Sequence, residues 1–183
     1  MRNFAIFVLG LIVFSAVTAT DSMAQSSQFP RVSGATCQPT MPAYSSWIRG
    51  NSGIGNTSTT SAIGVVCAIP IEGTSLSSAT TTVNSLRIYY LDQNGTNGKA
   101  ISCGGYLIDE AGAWINFATK FSCSTAGGCT SNANTYQGSG YIEFSSPTSL
   151  TNAHQLVASC ALVDASTGAP SYIRSLKAWL TVM

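Results

Sequence analysis

Six cysteines, Cys37, Cys67, Cys103, Cys123, Cys129 and Cys160, carry the clearest chemistry in this chain. Their number is even, none are spaced C-x-x-C, and the chain holds a single histidine. Disulfides are therefore expected rather than a zinc cluster. Cys123 and Cys129 bracket the turn-like STAGG segment and are expected to pair locally. Three pairings then remain for the other four cysteines. We favour Cys37 with Cys67 and Cys103 with Cys160, although nothing in the spacing forces that choice. Closing the short loop contributes about 2.4 kcal/mol and the long loop about 4 kcal/mol in the chain-entropy treatment.

Catalytic chemistry has few footholds. Gly50 to Gly53, GNSG, has the look of a serine-protease nucleophile loop. That chemistry needs a histidine base and a carboxylate behind it. The single histidine, His154, lies about a hundred residues downstream and reads as a strand-end residue bonded to backbone. Glycosidic hydrolysis needs two facing carboxylates. They would come from Glu72, Asp92, Asp109, Glu110, Glu143 and Asp164, of which only Glu143 lies away from loops. No catalytic residue is expected. Asp92, Asn94 and Thr96 alternate like calcium-loop oxygens, but the required glycine and final acid are replaced by Asn97 and Cys103. A hairpin turn explains the same residues, so neither metal nor other cofactor is expected. Asn56 and Asn94 are formal glycosylation sequons.

Aromatic side chains remain. Tyr89, Trp114, Tyr141 and Trp179 each alternate against a more apolar set of neighbours and are candidate partner-binding residues. Exposed rings on a sheet can grip a carbohydrate or protein without charge. The competing reading has them covering the second side of the core.

The elements that would position these residues are strands. Leu156 to Val163, LVASCALV, is apolar on both alternating faces and reads as a strand buried between two layers. Further strands are expected over Tyr44 to Ile48, Ser61 to Ile71, Thr81 to Leu91, Ala100 to Ile108, Ala113 to Phe121, the region around Gly140 to Phe144, and Tyr172 to Val182. In the last, alternation groups Ile173 with Lys177 and Trp179. Gln25 to Met41 reads as an extended lead-in anchored by Cys37, and Gly50 to Thr60 as loop. Pro70 should end its strand or meet an edge. Asn94-Gly95 signals a tight turn, and Gly104-Gly105 a bulge or a close backbone approach. Helix signals are nearly absent. The expected fold is an all-β antiparallel sandwich of about seven to eight strands, stapled by disulfides.

Arg2, the apolar run from Phe4 to Val17 and the small-x-small triplet Ser22-Met23-Ala24 describe a secretory signal peptide cut after Ala24. The apolar run falls short of the roughly 20 residues of a membrane span. Residues 25–183 then form one domain. Charged residues are 8% of the chain, well below the average soluble domain, and the formal net charge is +1. This balance offers no electrostatic case for nucleic acid or an anionic membrane.

An early cysteine, V-x-C-x-x-P-I over Val65 to Ile71, the strand cysteine Cys103, and L-x-x-S-C-x-L over Leu156 to Leu162 before a final S-x-I strand together form a pattern. It resembles a loose group of uncharacterised exported bacterial β-sandwich proteins with paired cysteines. The Cys123 and Cys129 pair is not part of that pattern. The resemblance implies location and fold, and no mechanism.

These readings lead to an exported, non-enzymatic β-sandwich, secreted or periplasmic, that meets a glycan or protein ligand at the cell surface. A structural subunit of an extracellular fibre or pilus-like assembly is the alternative, and a hydrolase of unknown type comes third.

Overall fold

A computed structural model describes residues 26–28, 30–41, 46–70, 80–95, 99–109, 111–112, 114–131, 137–145, 148–151, 153–166 and 168–182. The signal-peptide segment lies outside the described residues, as do Glu72, Glu110 and Thr96. In chain order the strands are β1 (Ser26–Gln28), β2 (Arg31–Ser33), β3 (Gln38–Pro39), β4 (Trp47–Gly50), β5 (Gly53–Asn56), β6 (Ile63–Pro70) and β7 (Thr80–Asp92). They continue with β8 (Ser102–Asp109), β9 (Trp114–Asn116), β10 (Lys120–Phe121), β11 (Gly138–Phe144), β12 (Thr148–Thr151), β13 (Ala153–Leu162) and β14 (Tyr172–Val182).

These strands form two antiparallel sheets. The first runs β11-β7-β14-β5-β4, with β12 beside β7 and β1 and β2 beside β14. The second runs β10-β8-β13-β6-β3, with β9 beside β8. The expected all-β sandwich is thus present, but with fourteen strands among the described residues rather than seven or eight. The added strands are mostly segments of two to four residues laid against long neighbours. Such pieces are too short to show alternation in sequence. The loop expected over Gly50 to Thr60 contains β5, all four of whose residues are buried. The single strand expected over Ala113 to Phe121 is broken into β9 and β10.

Alternation puts one face of each long strand into the core. From the first sheet come Val83, Leu86, Ile88 and Tyr90 of β7, Ile142 and Phe144 of β11, and Leu176, Ala178 and Leu180 of β14. From the second come Ile63, Val65, Cys67 and Ile69 of β6, Cys103 and Leu107 of β8, and Leu156, Ala158, Cys160 and Leu162 of β13. Burying each large aliphatic side chain stabilises the fold by about 1.5–3 kcal/mol before entropy is counted. β13 is central to the second sheet, as LVASCALV suggested, yet it is buried on one face only, since Ala161 is exposed.

One bulge and one pair of glycines position side chains. β14 bulges between Ile173 and Ser175, so the extra residue is Arg174. The bulge turns Ile173 inward with Leu176, correcting its expected grouping with Lys177 and Trp179. Gly104 and Gly105 carry no bulge and pair continuously with Ser159 and Ala158. Gly105 instead provides a close approach, because a Cβ there would lie 3.0 Å from the Phe117 ring and 3.2 Å from Leu86. β6 is described as far as Pro70, and the residues that follow it lie outside the described residues.

Three disulfides staple the sandwich: Cys37 to Cys67, Cys103 to Cys160 and Cys123 to Cys129. Cys103 and Cys160 stand directly opposite each other on β8 and β13. This is the pairing favoured from sequence, and register is what decides it. Three closed bridges fit an oxidising environment. No helix among the described residues is long and apolar enough to cross a membrane.

Candidate functional site

The outer face of the first sheet brings charged side chains and aromatic rings into contact across several strands. Antiparallel register places Glu143 of β11 opposite Arg87 of β7, Arg87 opposite Lys177 of β14, and Lys177 opposite Arg31 of β2. One row therefore crosses four strands with three cations and one anion. The adjacent row holds Tyr141, Tyr89, Ser175 and Ser33 in the same strand order. On the other side of the charged row stands Trp179.

Rings and cations in these rows touch. Tyr89 and Tyr141 have centroids 5.9 Å apart and ring planes tilted by 51°. The Arg87 guanidinium lies 4.7 Å from the centroid of Tyr141 and 4.7 Å from that of Trp179. Lys177 Nζ is 4.5 Å from the Trp179 centroid, and Arg31 Cζ is 5.8 Å from that of Tyr89. All four distances fall within cation–π range. Arg87 Nε also lies 3.0 Å from Glu143 Oε1. Glu143 raises the Arg87 pKa above its ordinary value, against the opposing cost of desolvation.

Beside Tyr89 the face opens into a depression of about 670 Å³, lined in part by Arg31, Arg174, Ser139, Ser175 and Asn51. The β14 bulge brings Arg174 here, where its Nη1 donates to Ser139 Oγ at 3.2 Å. Arg31 Nη2 donates to Ser175 Oγ at 3.3 Å. Both arginines are exposed. Each guanidinium carries five donors in a fixed fork, and among the described residues neither is in an ion pair. A smaller depression of about 320 Å³ on the second sheet, beside Tyr106 and Thr119, has no charged residue in its lining.

Of the four candidate aromatics, Tyr89, Tyr141 and Trp179 are brought together on this face, each half-buried. Trp114 is not with them. It stands on β9, opposite Ile108 of β8 in the second sheet. Alternation along a strand separates two faces but does not say to which sheet the strand belongs.

No protein-family model and no curated protein matches this sequence.

Of the sequence candidates for catalysis, Asn51 lines the depression and Glu143 stands in the charged row, and no second carboxylate joins them among the described residues. Asn51 and Ser52 of GNSG form the two-residue turn between β4 and β5. Gly53 has φ +106°, and a Cβ there would lie 1.9 Å from the Ile173 carbonyl oxygen, so the motif is explained by backbone packing. His154 is the extra residue where β13 bulges between Ala153 and Gln155 in the second sheet. Asp109 is on β8 and Asp164 is paired with Lys99. Asp92 and Glu143 share the first sheet, but Asp92 is buried while Glu143 lies on the outer face beside Arg87.

Asp92 and Asn94, considered for calcium, serve the interior. Asp92 accepts hydrogen bonds from Ser122 Oγ at 2.6 Å, Ser171 Oγ at 3.3 Å and the Asn94 backbone N–H at 3.0 Å. Asn94 and Asn56 are fully buried. The Asn56 amide donates to the carbonyl oxygens of Ser61, Leu162 and Val163, and that of Asn94 to the carbonyl of Ala169. Neither sequon therefore presents its amide to solvent.

Sequence reasoning missed Arg31, Arg87, Arg174 and Lys177. A signal existed for two of them: Arg87 and Lys177 each stand two residues before a ring, Tyr89 and Trp179, and so share its face of the strand.

Proposed function

We propose that this chain is an exported binding module whose contact surface is the outer face of the first sheet. The carrying observation is the joining of Tyr89, Tyr141 and Trp179 to Arg31, Arg87 and Lys177 across four strands. Half-buried rings stiffened by neighbouring cations offer flat contact area at little conformational cost. The three disulfides and the N-terminal signal pattern support export, with cleavage after Ala24, and the resemblance to exported bacterial proteins suggests a bacterial cell.

The fibre-subunit alternative needs a sheet edge left open for a donated strand. β14 is flanked by β7 on one side and by β1, β2 and β5 of the same chain on the other, so a donated strand has no place beside this C-terminal strand.

The test is display of the mature protein on glycan and extracellular-protein arrays beside a Tyr89→Ala, Tyr141→Ala, Trp179→Ala variant. Intact disulfides and an unchanged far-UV spectrum would certify the variant's fold. Saturable binding that the variant loses is the expected result. Equal binding by both proteins would exclude this face, and concentration-dependent polymers in electron micrographs would promote the fibre.

A further inference from the structure

The net charge of +1 conceals a strong segregation of charge. Four of the eight basic residues, Arg31, Arg87, Arg174 and Lys177, stand on the outer face of the first sheet. Among the described residues Glu143 is the one acid with them, and it is engaged with Arg87. Asp92 is buried, Asp164 is paired with Lys99, and Asp109 belongs to the second sheet. The described residues therefore give this face a local charge near +3 on a molecule that is almost neutral. Such a field attracts anions and repels other cations.

We propose that the face takes an acidic glycan, whose anionic group sits between Arg31 and Arg174 in the depression beside Tyr89. The proposal rests on the binding-module reading and adds the ligand class to it. Arg31 and Arg174 both line the depression, and among the described residues each donates to a serine hydroxyl and to no acid. Their planar forks match a carboxylate or sulfate better than a lysine would. Ser139, Ser175 and Asn51 supply hydroxyl and amide groups for sugar hydroxyls, and the Tyr89 ring forms a wall against which a sugar ring can lie. A volume of about 670 Å³ is the size of a small-ligand site and suits a few sugar residues of a longer chain. Lys177 and Trp179 extend the same surface along β14, so a polymer could run past the depression.

The sequence-level case against anionic partners rested on net charge, and net charge averages over faces. Nucleic acid is less well suited than a glycan. Tyr89 and Tyr141 lean on each other at 51° and leave no parallel platforms for successive bases.

The experiment is calorimetric titration of the mature protein with three oligosaccharides of equal length: one of uronates, one sulfated and one neutral. Each is repeated at raised salt and with Arg31→Gln, Arg174→Gln and Arg31→Lys variants. The acidic oligosaccharides should bind and the neutral one should not. Affinity should fall about tenfold or more in each Gln variant, with partial recovery in Arg31→Lys, and should weaken with salt. A preference between uronate and sulfate identifies which anionic group is held. Equal binding of the neutral oligosaccharide, or acidic binding untouched by either Gln variant, would overturn the acidic-glycan proposal while leaving the module standing. Binding of none of the three, beside saturable capture of a protein on the arrays, would also overturn it. Failure of both experiments would remove the module reading itself.

Discussion

Asp92 offers a demanding test of how the sandwich is held at one end. The residue is fully buried at the last position of β7. Its carboxylate draws together three separate segments: Ser122 after β10, Ser171 before β14 and Asn94 in its own turn. Those partners are themselves anchored, since Ser122 Oγ accepts from the Ile101 N–H at 2.9 Å and Ser171 Oγ accepts from the Gln93 N–H at 3.0 Å. Asp92→Ala would leave two hydroxyl donors and one backbone N–H without their acceptor. Each stranded buried donor costs about 1–3 kcal/mol, offset by the carboxylate no longer being desolvated, so a net loss of about 3 kcal/mol is expected. In a chain of this size that corresponds to a fall in Tm of roughly 6–12 °C. Asp92→Asn keeps one acceptor oxygen but turns an amide towards the Ser122 hydroxyl, and should cost about half as much. Guanidinium unfolding with all disulfides intact would measure both. A loss below about 0.5 kcal/mol for Asp92→Ala would refute the idea that this carboxylate ties the two sheets together.

Other substitutions probe separate parts of the structure. Replacing both Cys103 and Cys160 by Ala should cost about 4 kcal/mol, and replacing Cys123 and Cys129 about 2.4 kcal/mol, so denaturant midpoints should fall in that order. Gly53→Ala should prevent normal folding or cost several kcal/mol, because φ is +106° and the Ile173 carbonyl oxygen occupies the Cβ position; yield and Tm would report it. Lys99, followed by Ser166, holds the Asp164 carboxyl below its ordinary pKa of 3.8. A depressed folded-state value stabilises the protein above the ordinary aspartate range and is lost as pH falls through it. Lys99→Met should therefore flatten the loss of stability in acid, read from unfolding curves taken between neutral pH and strongly acidic pH.

Much of the fold was legible because long strands advertise themselves. Thr81 to Leu91 places Leu86, Ile88 and Tyr90 on one face and Arg87 and Tyr89 on the other, and the structure keeps that division. Tyr141 and Glu143 likewise face away from Ile142 and Phe144. Where alternation was absent, so was the signal. β5 reads GIGN and looks like loop, yet its glycines are what let it lie close against β14: a Cβ at Gly55 would lie 2.4 Å from the Tyr172 ring. The bulge at Arg174 reverses the parity of one strand end, and a one-residue insertion leaves no trace in composition. The candidate site was only half legible. Three of its rings followed from strand parity, but the cations gain meaning only once β2, β7, β11 and β14 are neighbours, and strand order is a property of the whole fold. Trp114 was grouped with them because parity cannot tell one sheet from the other.

The most direct measurement of the central claim is backbone amide chemical-shift mapping during titration with an oligouronate. Shifts should concentrate on Arg31 to Ser33, Arg87 to Tyr89, Ser139 to Glu143 and Arg174 to Trp179, and leave β6, β8 and β13 unmoved. Shifts centred on β8 and β9 around Trp114, with the first sheet silent, would contradict it.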